Sequence, residues 1–414
     1  MDKEILSENP KIEIINDDCL NYLKIIPENS IECVITDPPA GIGFMGKEWD
    51  SFGKGLSARE KFIGWLEMVA RECLRVLKPG AHALVWALPR TSHWTATAWE
   101  NAGFEVRDRI IHCFSSGFPK SLNIGKAVDK LLGNERKVIG KKKAGMGSGK
   151  TFGMLQTEGY NYLAPKEVLL DIGFSEWEGW GTALKPAVED WWLLRKPLEK
   201  GLNVAENVLK WGTGGLNIDA CKIGNERIPL QKRGKAVNTN FMSGGITLEH
   251  YGRFPSHLII DDSEEVKSLF PNGNYRFFYC AKASRKERDM GLDGMEVKIN
   301  KIIHNRRCKI CGHQEISGSP CKCKNPEWEV LKQERTAYNN HPTIKPIKLM
   351  EYLVKLICPP NGIVLDPFMG SGSTGIACVN LDKNFIGIEI DKNYYEIAKR
   401  RIGFAVKERK KRLF

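Results

Sequence analysis

A long hydrophobic run is absent from this chain of 414 residues. No apolar stretch approaches the roughly 20 residues that cross a bilayer as a helix, so a membrane-spanning segment is not expected. The start, "MDKEILSENP", is polar and acidic and lacks the apolar core of a secretory signal, which places the expected location in the cytoplasm. An acidic surplus is missing too. Lys plus Arg number 62 against 50 Asp plus Glu, a net charge of +12. Such an excess favours a polyanionic partner, because Lys and Arg facing phosphates release condensed counterions. Charge alone leaves equal room for a merely soluble basic protein. Internal repeats and nuclease motifs are also absent. The twelve cysteines would imply a disulfide framework only in a secreted chain; eight lie among apolar residues, as reduced core thiols do, and four are clustered.

What is present is alternation. "KIEII" and "IECVIT" read as strands, with a short helical "CLNYLKII" between them. In "KFIGWLEMVARECLRVL" the apolar residues Phe62, Trp65, Leu66, Val69, Cys73, Leu74 and Leu77 recur at helical spacing. "KPG" at 78–80 stops that helix, and "AHALVWAL" then reads as a buried strand. A helix around "HWTATAWENAG" and the strand "FEVRDRIIHCF" follow. From about 116 the pattern degrades into basic, glycine-rich sequence, with one strand returning at "DWWLLRKP". After 340 a strong βαβ pattern resumes. The expected class is α/β, doubly wound around a mostly parallel sheet.

"IVLDPFMGSGSTGIAC" sets Gly370, Gly372 and Gly375 in G-x-G-x-x-G spacing between a strand and a helix. Glycines allow a tight turn and close approach of backbone to ligand, and the helix start offers unbonded N–H groups. Glu389 ends the next strand 19 residues on, close to the ~20 expected of a carboxylate that grips ribose hydroxyls. This context predicts a nucleoside-containing cofactor without separating NAD from S-adenosylmethionine. "AGMGSGKT", Ala144 to Thr151, imitates a phosphate loop, but no convincing buried strand leads into it. We read it as a basic loop within reach of DNA phosphates.

"TDPPA", Thr36 to Ala40, places an aspartate and two prolines at the end of a buried strand. Proline has a fixed φ and no N–H, so the loop is stiff and its carbonyls stay available as acceptors. A carboxylate beside such a carbonyl can accept both hydrogens of an exocyclic amino group. Taken with "HPTIKP" at 341–346, "LDPFMGSGSTG" at 365–375 and "GIEID" at 387–391, the chain resembles the amino-methylating DNA methyltransferases. These modify adenine N6 or cytosine N4 with S-adenosylmethionine. The catalytic loop comes first and the cofactor loop last, an order similar to the β group of that family, whose motifs are permuted on a Rossmann-like fold.

The resemblance implies roles residue by residue. Asp37 and the Pro38 carbonyl, in a loop stiffened by Pro39, would accept from the target amine. Asp366, Phe368, Gly370 and Gly372 would shape the cofactor pocket, and Glu389 would bind the ribose. Thr343 and Lys345 would approach the methionine end, and Asp18 would lie near the adenine with Cys19 packed beside it. Asp18 also suits a helix N-cap. Where the family usually carries an aromatic residue to stack on the flipped base, this chain has Ala40. Phe44 and Trp49 are the nearest replacements, and each equally suits a core position.

The implied organisation is a catalytic half at 1–115, a basic insertion at 116–182, a returning strand at 183–197, target recognition at 198–338, a cofactor-binding half at 339–403 and a basic tail at 404–414. Within the recognition region, Cys308, Cys311, Cys321 and Cys323 form C-x2-C…C-x-C. Two close pairs across a hairpin suit a tetrahedral structural Zn(2+), a ribbon spanning about 304–325. His313 or His304 stands as a substitute ligand, and redox cysteines are the alternative.

The leading expectation is a site-specific methyltransferase acting on double-stranded DNA. Aspartate before the prolines favours adenine N6, with cytosine N4 next. An NAD-dependent dehydrogenase and a non-catalytic zinc-containing DNA-binding protein explain fewer features. A restriction endonuclease partner and a homodimer are both compatible with the leading reading.

Overall fold

The computed structural model describes residues 2–43, 50–53, 55–114, 121–143, 167–228, 231–232, 246–247, 250–261, 263–270, 274–275, 278–280, 285–292, 298–310, 323, 327–337 and 344–413. Strands β1 (Asp2–Glu8) and β2 (Lys11–Asn16) are followed by α1 (Cys19–Leu23), β3 (Ile31–Thr36), α2 (Gly55–Val76), β4 (Leu77–Ala87), α3 (Ser92–Asn101) and β5 (Glu105–Cys113). Helix α4 (Ile124–Leu132) leads to the antiparallel pair β6 (Lys137–Lys143) and β7 (Glu167–Ile172), and β8 (Val188–Arg195) returns to the main sheet. Next come α5 (Val204–Trp211), β9 (Ile223–Ile228), β10 (Gln231–Lys232), β11 (Ile246–Thr247), β12 (His250–Arg253), β13 (Leu258–Ile260), α6 (Glu264–Lys267), β14 (Tyr279–Cys280) and α7 (Arg285–Arg288). A long hairpin, β15 (Lys298–Cys308) with β16 (Trp328–Ala337), precedes α8 (Ile347–Ile357), β17 (Ile363–Asp366), α9 (Ser373–Asn380), β18 (Asn384–Glu389) and α10 (Lys392–Leu413).

Ten strands form the main sheet in the order β1-β2-β18-β17-β3-β4-β8-β5-β13-β14. Six neighbouring pairs are parallel and three, all involving β1 or β8, are antiparallel. The sheet is mixed but mostly parallel. The late strands β17 and β18 sit between β2 and β3, so the chain's two ends build one sheet. Strands β13 and β14, from the stretch 198–338, extend it beyond β5.

The strands are apolar on both faces because helices cover both faces. In β3, Cys33 and Ile35 join a core cluster with α8 and α9, whereas Val34 joins the opposite one with α1 and α2. Helix α2 buries Phe62, Leu66, Val69, Ala70, Cys73 and Val76 along one stripe. It stops at "KPG" as expected, since Pro79 has no N–H and Gly80 takes φ +77°. These residues then enter β4 through a register shift. Strand β6 exists but is an exposed one, with Val138 and Ile139 open to solvent, so no buried strand leads into 144–151, which lie outside the described residues. No helix among the described residues is long and apolar enough to cross a membrane.

Candidate active site

The carboxyl ends of β2, β3, β4, β17 and β18 open onto one cleft of about 1210 Å³, where α/β sheets place their ligands. It has two chemically different ends. At one, Asp37 follows β3 directly. Its Oδ2 accepts from Lys345 Nζ at 2.6 Å, and the ammonium also lies 4.1 Å from the centre of the Trp86 ring. Burial pushes the Asp37 carboxyl above its usual range, against the pull of Lys345. Glu189, at the start of β8, faces the same ammonium. Burial would raise its pKa too, yet Lys345 and His112 together hold it down at about 2. His112 Nδ1 lies 3.6 Å from Glu189, beyond good hydrogen-bond range.

The loop behind Asp37 is clamped from both sides. Thr36 Oγ1 donates to Asp366 at 2.7 Å, and Thr91 Oγ1 donates to the Ala40 carbonyl at 2.8 Å. Asp50, fully buried, accepts from the N–H groups of Gly41 at 2.6 Å and Ile42 at 3.3 Å. Gly41 needs its missing side chain: its φ is +72°, and a Cβ would stand 2.6 Å from the Phe62 ring.

At the other end, the glycine loop joins β17 to α9. Asp366 accepts from Thr36 and from Thr374 Oγ1 at 2.6 Å and the Phe368 N–H at 3.2 Å. Burial still raises its pKa to about 6. Glu389 accepts from the Gly370 and Asp391 N–H groups, both at 2.8 Å, and burial lifts its pKa to about 7. Arg401, buried in α10, donates to the Ser371 carbonyl at 2.5 Å and its Oγ at 3.0 Å, fixing the loop from behind. An aromatic wall of Phe52, Trp65 and Phe368 closes this end, with ring centroids 5.3 Å and 5.6 Å apart. The segments lining it, Asp18–Cys19, Asp366–Thr374 and Ile388–Asp391, contain acids and no Lys or Arg.

A family model described as DNA methylase, of the N6/N4 kind, matches residues 31–136 and 190–400. The chain belongs to this DNA methylase family. Among curated proteins, M.HindIII, a type II methyltransferase of Haemophilus influenzae, is 22% identical over 423 aligned positions, 94% of each chain. The DNA adenine methyltransferase YhdJ of Escherichia coli is 43% identical over 93 residues, 22% of this chain and 30% of its own length. For several other curated relatives the match spans 22% to 40% of their length. The solved PvuII DNA methyltransferase, cytosine-N4-specific, aligns over 97% of this chain and 91% of its own, with 13% identity and a TM-score of 0.44.

In this DNA methylase fold Asp18, Cys19, Asp37, Pro38, Pro39, Lys345, Asp366, Phe368, Gly370 and Glu389 all line the one cleft. Asp18 is also the N-cap of α1, accepting from the Leu20 N–H at 2.8 Å, and the buried Cys19 thiol is pushed up to about 12 by burial beside Asp18. Gly372 is not among the lining residues; with φ +81°, it faces α10, where a Cβ would meet Ile402 at 2.9 Å. Its role there is close helix packing. Phe44, Trp49 and Thr343 lie outside the described residues, as do Cys311 and Cys321; only the backbone of Cys308 is described, at the end of β15, and Cys323 lies in the connection to β16. Glu189, Trp86, Asp50, Thr91 and Arg401 were not anticipated. Trp86 carried a usable signal, being at the carboxyl end of a predicted buried strand.

Proposed function

We propose that this protein transfers a methyl group from S-adenosylmethionine to an exocyclic amino group of a base in double-stranded DNA, adenine N6 first, with cytosine N4 as the alternative. The observation that carries this reading is that Asp37-Pro38 and the glycine loop with Glu389 line a single cleft. Membership of the DNA methylase family supports the reaction class and sets aside the dehydrogenase. The likeness to YhdJ, an adenine methyltransferase by name, supports adenine.

The glycine-loop end suits the proposed cofactor. Its acids and aromatics fit a ribose, an adenine and a cationic sulfonium. Ser373 Oγ is buried at the cleft wall and makes no hydrogen bond among the described residues, an orphan polar atom of the kind a ligand satisfies. S-adenosylmethionine would supply an electrophilic methyl to which a nitrogen lone pair bonds as the S–C bond breaks, its electrons leaving on sulfur. Asp37 and the Pro38 carbonyl accept the two amino hydrogens, which frees that lone pair from the ring. The raised pKa of Asp37 suits it to take the proton the methylated nitrogen sheds. Swinging the base out of the duplex costs a few kcal/mol.

Two finer proposals accompany this. The motif order is permuted, consistent with β17 and β18 lying between β2 and β3. Cys308, Cys311, Cys321 and Cys323 hold a structural zinc, supported by their place along the β15–β16 connection, where the ladder continues through Lys309 N–H to Glu327 O at 2.7 Å. Elemental analysis should find one zinc per chain, and its absence removes the ribbon. The main test is incubation with unmethylated chromosomal DNA and methyl-labelled cofactor, followed by nucleoside digestion. Label in N6-methyladenine is expected, label in N4-methylcytosine selects the alternative, and no label in DNA refutes the function.

A further inference from the structure

Asp37 is already occupied. Lys345 Nζ sits 2.6 Å from its Oδ2, on the carboxylate that the proposed function assigns to the base's amino group. A neutral amine makes a weaker bond to a carboxylate than an ammonium does, so it does not displace Lys345 unless the ammonium finds a second anion. Most acids of the cleft cannot serve. Asp366 and Glu389 are committed to the donors of the glycine loop, and Asp50 to the Gly41 and Ile42 amides. Glu189 lines the same cleft with a quarter of its side chain exposed, its neighbours there being His112 at 3.6 Å and the Trp86 indole, neither of them a full positive charge. The Lys345 charge helps lower its pKa, and its own charge helps raise that of Asp37.

Resting on the methyltransferase reading, we propose that the Asp37–Lys345 ion pair is a placeholder, and that Glu189 is the positioning residue that receives the Lys345 ammonium when the target amine takes its place. Lys345 is built for such a move: a long unbranched chain, fixed at its root by the start of α8, with its head over the Trp86 face. Keeping the ammonium between the two carboxylates also matters after the exchange. Were it lost to solvent, Asp37 and Glu189 would face each other as like charges and Asp37 would protonate, becoming useless as an acceptor.

The test uses full-length enzyme at saturating S-adenosylmethionine, with unmethylated chromosomal DNA as substrate. Glu189→Gln keeps the shape and removes the charge, leaving the ammonium on Asp37. We expect the apparent KM for DNA to rise about tenfold, the difference between a charge-assisted and a neutral hydrogen bond, with cofactor Kd within about twofold of wild type. On a Lys345→Met background, whatever that change itself costs, no ammonium needs receiving, so adding Glu189→Gln should move the KM by less than about threefold. A Glu189 that merely supports the fold would cost the same on either background. A wild-type KM in Glu189→Gln, or an equal rise of about tenfold on the Lys345→Met background, overturns the exchange. Wild-type enzyme that methylates no DNA overturns the proposed function instead.

Discussion

The two ends of the cleft treat buried carboxylates in opposite ways. At the glycine loop, Asp366 and Glu389 are held by backbone amides and threonine hydroxyls, donors fixed by the fold. At the other end Asp37 is neutralised by the head of a long lysine side chain. Fixed donors make a site that is shaped before its ligand arrives, with little reorganisation on binding. A side-chain cation already on the carboxylate makes a site whose ligand must compete for the anion. The difference suits a cofactor bound first into a preset pocket and a base admitted only by exchange.

The largest test of that division is Asp37→Ala. Removing a group aimed at the reacting atom costs on the order of 10²–10³ in turnover. Cofactor affinity, measured by calorimetry, should stay within about twofold, because Asp37 holds nothing at the glycine loop. A matching loss of cofactor affinity would erase the boundary between the ends.

Next in size is Glu389→Gln, which should weaken S-adenosylmethionine binding about 10–100-fold, the ~1.5–3 kcal/mol of hydrogen bonds to a charged group. A pH dependence accompanies it. Burial raises the Glu389 pKa to about 7 in the ligand-free fold, and ribose hydroxyls need the ionised form as acceptor. Wild-type affinity should therefore fall as pH drops below about 7 and level off above it, whereas Glu389→Gln should be flat across that range. By the same sign, the ligand-free fold binds this proton more tightly than the unfolded chain does. Its stability contribution is present at low pH and declines as pH rises toward 7. A pH-independent wild-type affinity would mean that Glu389 only braces the loop.

How much of this was legible in the sequence divides along the same line. The glycine-loop end was readable because its residues are close in the chain: Asp366 to Thr374 is one strand–turn–helix, and Glu389 ends the next strand. Its one surprise is Gly372, which spacing cannot assign to a ligand or to α10. The Asp37 end was readable only in its motif. Glu189 shares the cleft with Asp37 because β8 runs antiparallel beside β4, starting at the edge where its neighbours end, and one strand's direction inside a parallel pattern has no local signature. Asp50 likewise clamps Gly41 from nine residues on, through a fold-back that no period announces. Phe44 and Trp49 fall between them, so the replacement for the aromatic absent at Ala40 is a question for mutagenesis.

The smallest effect tests the seam. Thr36 is one residue before Asp37, and its hydroxyl donates to Asp366 of the glycine loop at 2.7 Å with the pair fully enclosed. Thr36→Val keeps the volume and deletes that donor, leaving Asp366 with Thr374 and Phe368. Hydrogen bonds to charged groups are worth about 1.5–3 kcal/mol; part of this is recovered because the Asp366 pKa, already about 6, rises further and the carboxyl protonates. A loss of about 1.5 kcal/mol is expected, read as a lower denaturation midpoint in urea at unchanged slope. Because the bond ties both ends together, cofactor affinity and turnover should each fall by a few-fold. Turnover falling alone would show that the two ends are positioned independently, each by its own clamp.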